Sequence, residues 1–271
     1  MKHISFSIFF LLALYNVDIY AQTDSTFTLS KTIEGDIVDF TADNVGNMYL
    51  LSKTNQLKKI SSNGDSLGVY NAVTRFGDIS FIDVTNPLKI LIYYKDFATI
   101  VETDRFLNIL NTIDLRNLGI FQVKAIGLAY DNNIWLFDEL DAQLKRVGDD
   151  GTLISQTTDF RQLFDFVPDP SVIVDQNDLV YLYDSAKGVY AFDHYGTLKS
   201  HVALNDWRDF TVIDKSLIGR NDKFFLKYQL GKLDIQQEAL PDAYMNAQKI
   251  KVTSTAIYVL KKNVLQVYSR R

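Results

Sequence analysis

The residues best suited by type and spacing to do chemistry lie in Gly64-Asp65-Ser66-Leu67-Gly68. The string fits the Gly-x-Ser-x-Gly pattern, in which a serine sits on a strained turn between a strand and a helix and backbone N–H groups stabilise an oxyanion. The context fails that chemistry. Residues Val69-Tyr70-Asn71-Ala72-Val73 read as a strand rather than a helix, and the same turn returns at Gly151 and Gly196 with leucine in the serine's place. Metal chemistry has as little to work with. The chain has no cysteine, and beyond His3 its histidines are His194 and His201, a pair without zinc-ligand spacing. Asp131, Asp175 and Asp178 sit in turn-like segments without EF-hand spacing and are expected to cap those turns with their side chains. Phosphate-binding glycine loops are absent. The expectation is no catalytic residue, no metal and no cofactor.

The elements that would position such residues form a repeat. A glycine turn flanked by apolar residues appears at Asn63-Gly64, Asp150-Gly151 and Tyr195-Gly196, with weaker copies around Asp104-Arg105 and Leu230-Gly231. Positions 64, 105, 151, 196 and 231 lie 41, 46, 45 and 35 residues apart. Asn-Gly and Asp-Gly suit tight hairpins in which both central residues take positive φ. Upstream of the turns lie apolar strands at 48–51, 90–94, 134–137, 179–183, 216–218 and 256–260, several of them after an Asp/Asn turn such as Asp43-Asn44-Val45-Gly46-Asn47. Four antiparallel strands in each repeat of roughly 40–50 residues is the pattern of a propeller blade.

The ends sharpen the expectation. The sixth unit holds strands at 249–252, 256–260 and 264–268 and then stops one strand short, while a spare strand at 27–33 precedes the first unit. If that strand completes the last blade, no open sheet edge remains. The fold expected is all-β: a six-bladed β-propeller of four-stranded blades, closed by the N-terminal strand. This pattern resembles the six-bladed propellers of the NHL and TolB-like groups, including members secreted into bacterial envelopes, and the resemblance covers nearly all of the chain after its first residues. It implies a fold. Six-bladed lactonases of this kind hold calcium in the central channel with Glu, Asn and Asp, so the resemblance also implies an alternative, a ligand-binding or lactonase-like use of that channel.

The first residues follow different rules. Lys2 and His3 precede an apolar run from Ile4 to Tyr15, and a short polar stretch leads to Ala21. That is the layout of a secretory signal peptide over residues 1–21, too short to span a bilayer. Residues 22–271 then form a single domain. Removing 1–21 takes away Lys2 and Asp18 and leaves the formal net charge at −5, with no basic block to attract nucleic acid or anionic lipid. Hydrophobic residues make up 47% of the chain and aromatics 13%, with 18 Phe and 15 Tyr, ample material for a large β core. With no cysteine to bridge or acylate, stability has to come from packing.

Two departures from the repeat are candidate contact surfaces. An extra stretch between the third and fourth units carries Phe164 and Phe166, and Trp207 with Arg208 lies in a polar linker, an aromatic–arginine pairing enriched at interfaces. The function expected is a non-catalytic protein-interaction scaffold, exported to the periplasm or the outer-membrane periphery of a Gram-negative cell, as an accessory subunit of an assembly or secretion complex. Its partner would be a protein, with no transmembrane span of its own after processing.

Overall fold

The computed structural model describes residues 27–270, and the segment read as a signal peptide lies outside them. The first described strand, β1 (Phe27–Glu34), stands apart from the strands that follow it. The next four, β2 (Ile37–Ala42), β3 (Met48–Ser52), β4 (Leu57–Ile60) and β5 (Ser66–Tyr70), form an antiparallel sheet in chain order. After the short helix α1 (Val73–Phe76) comes a second such sheet of β6 (Phe81–Asn86), β7 (Lys89–Tyr94), β8 (Thr99–Thr103) and β9 (Ile109–Asp114). The third holds β10 (Val123–Leu128), β11 (Ile134–Asp138), β12 (Gln143–Val147) and β13 (Leu153–Gln156). Helix α2 (Phe160–Leu163) leads to β14 (Val172–Gln176), β15 (Leu179–Asp184), β16 (Gly188–Phe192) and β17 (Leu198–Val202). The fifth sheet is β18 (Arg208–Ile213), β19 (Ser216–Arg220), β20 (Phe224–Gln229) and β21 (Gln236–Ala239).

The last sheet has β22 (Lys249–Val252), β23 (Ala256–Lys261) and β24 (Val264–Arg270), and its fourth strand is β1. β1 runs antiparallel to β24 from Phe27 opposite Arg270 to Glu34 opposite Val264. The first strand of each sheet lies against the first strand of its neighbours, so β2, β6, β10, β14, β18 and β22 form a continuous inner ring. The fold is a six-bladed β-propeller. The strand expected at 27–33 closes it, one residue longer than the sequence indicated.

The sheets hold together because large side chains fill the wedges between them. Tyr93, Tyr94, Trp135, Phe137, Tyr181, Tyr183, Tyr190 and Phe192 are all buried. Between the third and fourth blades, Phe160 stacks on Phe192 with ring centroids 5.1 Å apart and packs against Phe137 at 5.5 Å. Removing that much aromatic area from water is the main stabilising term. Backbone and side-chain bonds then lock neighbouring blades in register. Lys59, buried in the first blade, donates to the Arg105 carbonyl of the second at 2.9 Å, and Lys249 of the last blade pairs with Asp39 of the first at 2.7 Å.

One backbone motif sets the edges of the blades. At 43–47, 61–65, 104–108, 129–133, 148–152 and 193–197, the first residue donates its N–H to the fifth's carbonyl and accepts a bond from the fourth's N–H. The fourth residue takes the left-handed conformation: Gly46, Gly64, Leu107, Asn132, Gly151 and Gly196. Asn63, Asp150 and Tyr195 do not. These turns are therefore not the tight hairpins with two positive-φ residues read from Asn-Gly and Asp-Gly. They are longer turns closed by a single left-handed residue and a bulge, and the pairing registers shift beside them. The second-blade copy centres on Leu107 rather than Arg105, which makes the spacing more even than the sequence indicated. Ser66, the serine of the hydrolase-like string, begins β5, so a strand and not a helix runs directly from it, and α1 starts only at Val73.

Because the strands alternate in direction, these turns all fall at one end of the ring. The connections from β3 to β4 and its equivalents, with the linkers between blades, fall at the other. We call these ends the turn face and the linker face.

Candidate functional site

The inner ring encloses a cavity of about 420 Å³ in its turn-face half. Its walls come from the later residues of β2, β18 and β22 with the turns after them, and from nearly the whole of β6 and β14. Acids and amides gather at its mouth: Asp43, Asn44, Asp83, Asp175, Gln176 and Asp214. What these groups can do depends on what already holds them.

Most are occupied by the fold. Asp43 accepts from Val45 N, Asn47 N, the Asn47 side chain and the Tyr49 hydroxyl, at 2.8–3.1 Å. Asp83 accepts from Thr85 N at 2.7 Å and reaches the third blade at Leu128 N, 3.0 Å away. Asp175, with its side chain 2% exposed, accepts from Tyr130 N at 3.1 Å and Trp135 Nε1 at 2.8 Å, and meets His194 Nε2 at 2.8 Å. Gln176, with its amide turned to satisfy both ends, bonds Val212 O and Asp214 N of the fifth blade. Just outside the cavity, Asp209 holds Arg220 and accepts from Ile250 N of the last blade at 2.8 Å. An inner strand pairs along only one edge, and these side chains satisfy donors that its other edge leaves over. Asp131 does cap its own turn, accepting from Asn133 N. Asp175 instead bridges two blades, because its strand ends beside the third-blade turn. Among the described residues, no three of His, Asp and Glu are grouped to hold a metal ion.

The unoccupied polar groups of the cavity are different ones. Lys251 projects from β22 on the side opposite Ile250 and Val252, which pack into the core. Its amine has no hydrogen bond or ion pair among the described residues, and the half-buried residue lines the cavity. Burial pushes its ammonium below the usual lysine range, against the opposing pull of Asp83 and Asp209. The hydroxyls of Thr41 and Thr211 line the same space and are also without partners. Sequence reading missed Lys251 because Lys249-Ile250-Lys251-Val252 alternates like a strand with one face in open water. Here Lys249 of that polar face pairs with Asp39, and Lys251 lines the cavity.

His194 and His201 do not meet. His194 stacks on Tyr130 at 4.0 Å beside the Asp175 bridge, on the turn face. His201 stacks on Tyr190 at 4.1 Å and lies 2.9 Å from the Lys187 carbonyl, at the outer side of the fourth blade.

The contact candidates lie on the linker face. Phe164 packs edge-on against Phe160 and Tyr190, Phe166 lies 6.2 Å from Phe164, and Lys187 sits over the Phe166 ring at 4.3 Å. Both are half-buried. Above them, Leu163 and Val167 are 44% and 41% exposed. Arg208 is exposed and pairs with Asp222. Trp207, read from the sequence as a surface side chain, is buried at 5% exposure. Its indole fills the space over Gly219, where an added Cβ would lie 2.8 Å from the ring. Its carbonyl accepts from the Tyr183 hydroxyl at 2.7 Å. The indole is a wedge between the fourth and fifth blades.

No family model and no curated protein matches the chain. Solved structures do match. A streptogramin B lyase superposes with a TM-score of 0.59 at 15% identity, over 86% of this chain and 78% of that one. A virginiamycin B lyase from Staphylococcus aureus gives 0.58 at 13% identity, over 85% and 79%. The WD40 domain of Pan2 from Neurospora crassa gives 0.60 at 8% identity, over 90% and 95%. Enzymes and non-enzymatic domains both appear at such low identity, so the likeness is one of fold.

Proposed function

We propose that this propeller is a non-catalytic docking module that binds a protein partner through its linker face, in the cell envelope. The observation that carries the reading is the 160–170 insertion. It presents Leu163 and Val167 to solvent over a packed aromatic base, with Arg208 exposed on the same face. Interfaces with an apolar centre and an arginine at the edge have this make-up. The occupied state of the mouth carboxylates supports the same reading, because acids bound to backbone donors in the resting fold are poorly placed to move protons. Export rests on Lys2, His3, the apolar run Ile4–Tyr15 and Ala21. A processed protein beginning at Gln22, recovered from the periplasm or outer-membrane fraction, is the expected product. A tagged copy expressed in its own host should bring down one partner at fixed stoichiometry. Repeated recovery of the free monomer would overturn the proposal.

One observation favours a second reading, a small-ligand site in the central channel: acids, amides and a lysine converge at a single mouth. In a lactonase-like version these acids would have to leave their structural bonds to take up a metal.

A further inference from the structure

The cavity at the turn face combines three features that together define a ligand. Its volume, about 420 Å³, falls within the roughly 300–1,000 Å³ typical of small-molecule sites. Its wall carries one cation, Lys251, whose amine has no hydrogen bond or ion pair among the described residues and feels Asp83 and Asp209 only through their field. Its mouth carries the carboxylates of Asp43, Asp83, Asp175 and Asp214. The first three have their oxygens bound to donors of the fold, so they act on a ligand through their field rather than through new bonds.

These features discriminate between ligand charges. A simple anion gains at Lys251 but must pass and remain beside four carboxylates. A simple cation gains at the mouth but meets an ammonium without an ion-pair partner below it. A neutral molecule leaves the half-buried ammonium as it was, and a charge drawn partly out of water without a partner is costly. A molecule carrying both charges gains at each end. We propose that the channel binds a small zwitterion of the amino-acid class, its carboxylate seated on Lys251 and its ammonium held toward the mouth. The free hydroxyls of Thr41 and Thr211 line the same space as further hydrogen-bond donors for the carboxylate. Burial already lowers the proton affinity of Lys251, and a bound carboxylate would restore it.

This inference rests on the channel reading and is independent of partner docking at the linker face. The test uses the purified full chain. The twenty free amino acids are screened by thermal shift, and the best binder is then titrated calorimetrically. Its deaminated acid, its decarboxylated amine and glucose serve as comparison probes. The expected result is saturable binding of at least one amino acid, with each half-molecule weaker. Lys251→Met should weaken binding by about 10- to 100-fold, the usual range for losing a hydrogen bond to a charged group. Circular dichroism checks the fold of that variant, and Lys251→Gln provides a second variant with the same expected loss. Undiminished binding in the folded variants would overturn the assignment, as would an amine that binds as tightly as its amino acid. Glucose binding without amino-acid binding would overturn the zwitterion and leave the channel reading standing. Silence from every probe would remove both.

Discussion

The turn face and the linker face are made from the same twenty-four strands, yet they are organised differently. On the turn face, five-residue turns repeat one backbone path, and the side chains around them are used to tie blade to blade. On the linker face, the connections between blades range from Gly35-Asp36 to the long 157–171 segment. The turn face is regular because each turn answers a local demand, the reversal of two paired strands. The linker face varies because each crossing must reach a new blade and cover its apolar edge. Regularity therefore marks the scaffold, and the irregular face is where this chain differs from a generic ring.

That contrast can be tested on both sides. Trp207→Ala on the linker face removes a buried wedge with little room to collapse, and should cost about 3–5 kcal/mol in urea-induced unfolding. A loss under about 1 kcal/mol would mean that the linker face carries no structural weight at this point. Asp175→Ala on the turn face strands the donors of Tyr130 and Trp135 and removes the acceptor facing His194. It should cost about 2–4 kcal/mol by the same measurement. The pair Leu163→Asp and Val167→Asp exposes more charge on a surface already open to water. Stability should change by less than about 0.5 kcal/mol per site while partner recovery in the pull-down is lost. If the partner is still recovered in full, the docking surface lies elsewhere.

The smallest effect concerns acid stability. The Lys199 ammonium and the Thr197 backbone N–H hold the Asp193 carboxyl at about 2, below its ordinary 3.8. A carboxylate depressed in the folded state stabilises above its unfolded value and loses that contribution as pH falls toward the folded one. Asp193→Asn should therefore lower stability at neutral pH, with the difference from the unsubstituted protein closing as pH falls from about 4 to about 2, so that the acid limb is flatter. Because Asp193 lies at the protein surface, salt should weaken the effect.

The fold was open to sequence reading where the signal is periodic. Apolar runs such as Ile90–Tyr94 and Ala256–Leu260, spaced by turns, identify the second strand of a blade because burial on both faces requires them. The spare strand at the N-terminus could be assigned because the sixth unit lacked one. The turn geometry was harder to read, since Leu107 adopts φ 68° where the other blades place glycine or asparagine, and leucine carries no mark of that conformation. Trp207 was misplaced for a longer-range reason. Its neighbours Asn205, Asp206, Arg208 and Asp209 are polar, and the room for its ring is created by Gly219, on the next strand. The channel groups were hidden in the same way. Lys251 and Asp83 meet one space only after strands from different blades have closed around it.

Closure of the ring by β1 and β24 also governs timing. The first described strand has its hydrogen-bonding partner at the far end of the chain, with Phe27 opposite Arg270. On a ribosome, β1 emerges before every other strand of its own blade and waits for β24. Until then the final blade is missing, and β2 and β18 each lack a neighbour. Pairings this distant in sequence are slow to form. The ring thus stays open until β24 has been made and has paired with β1.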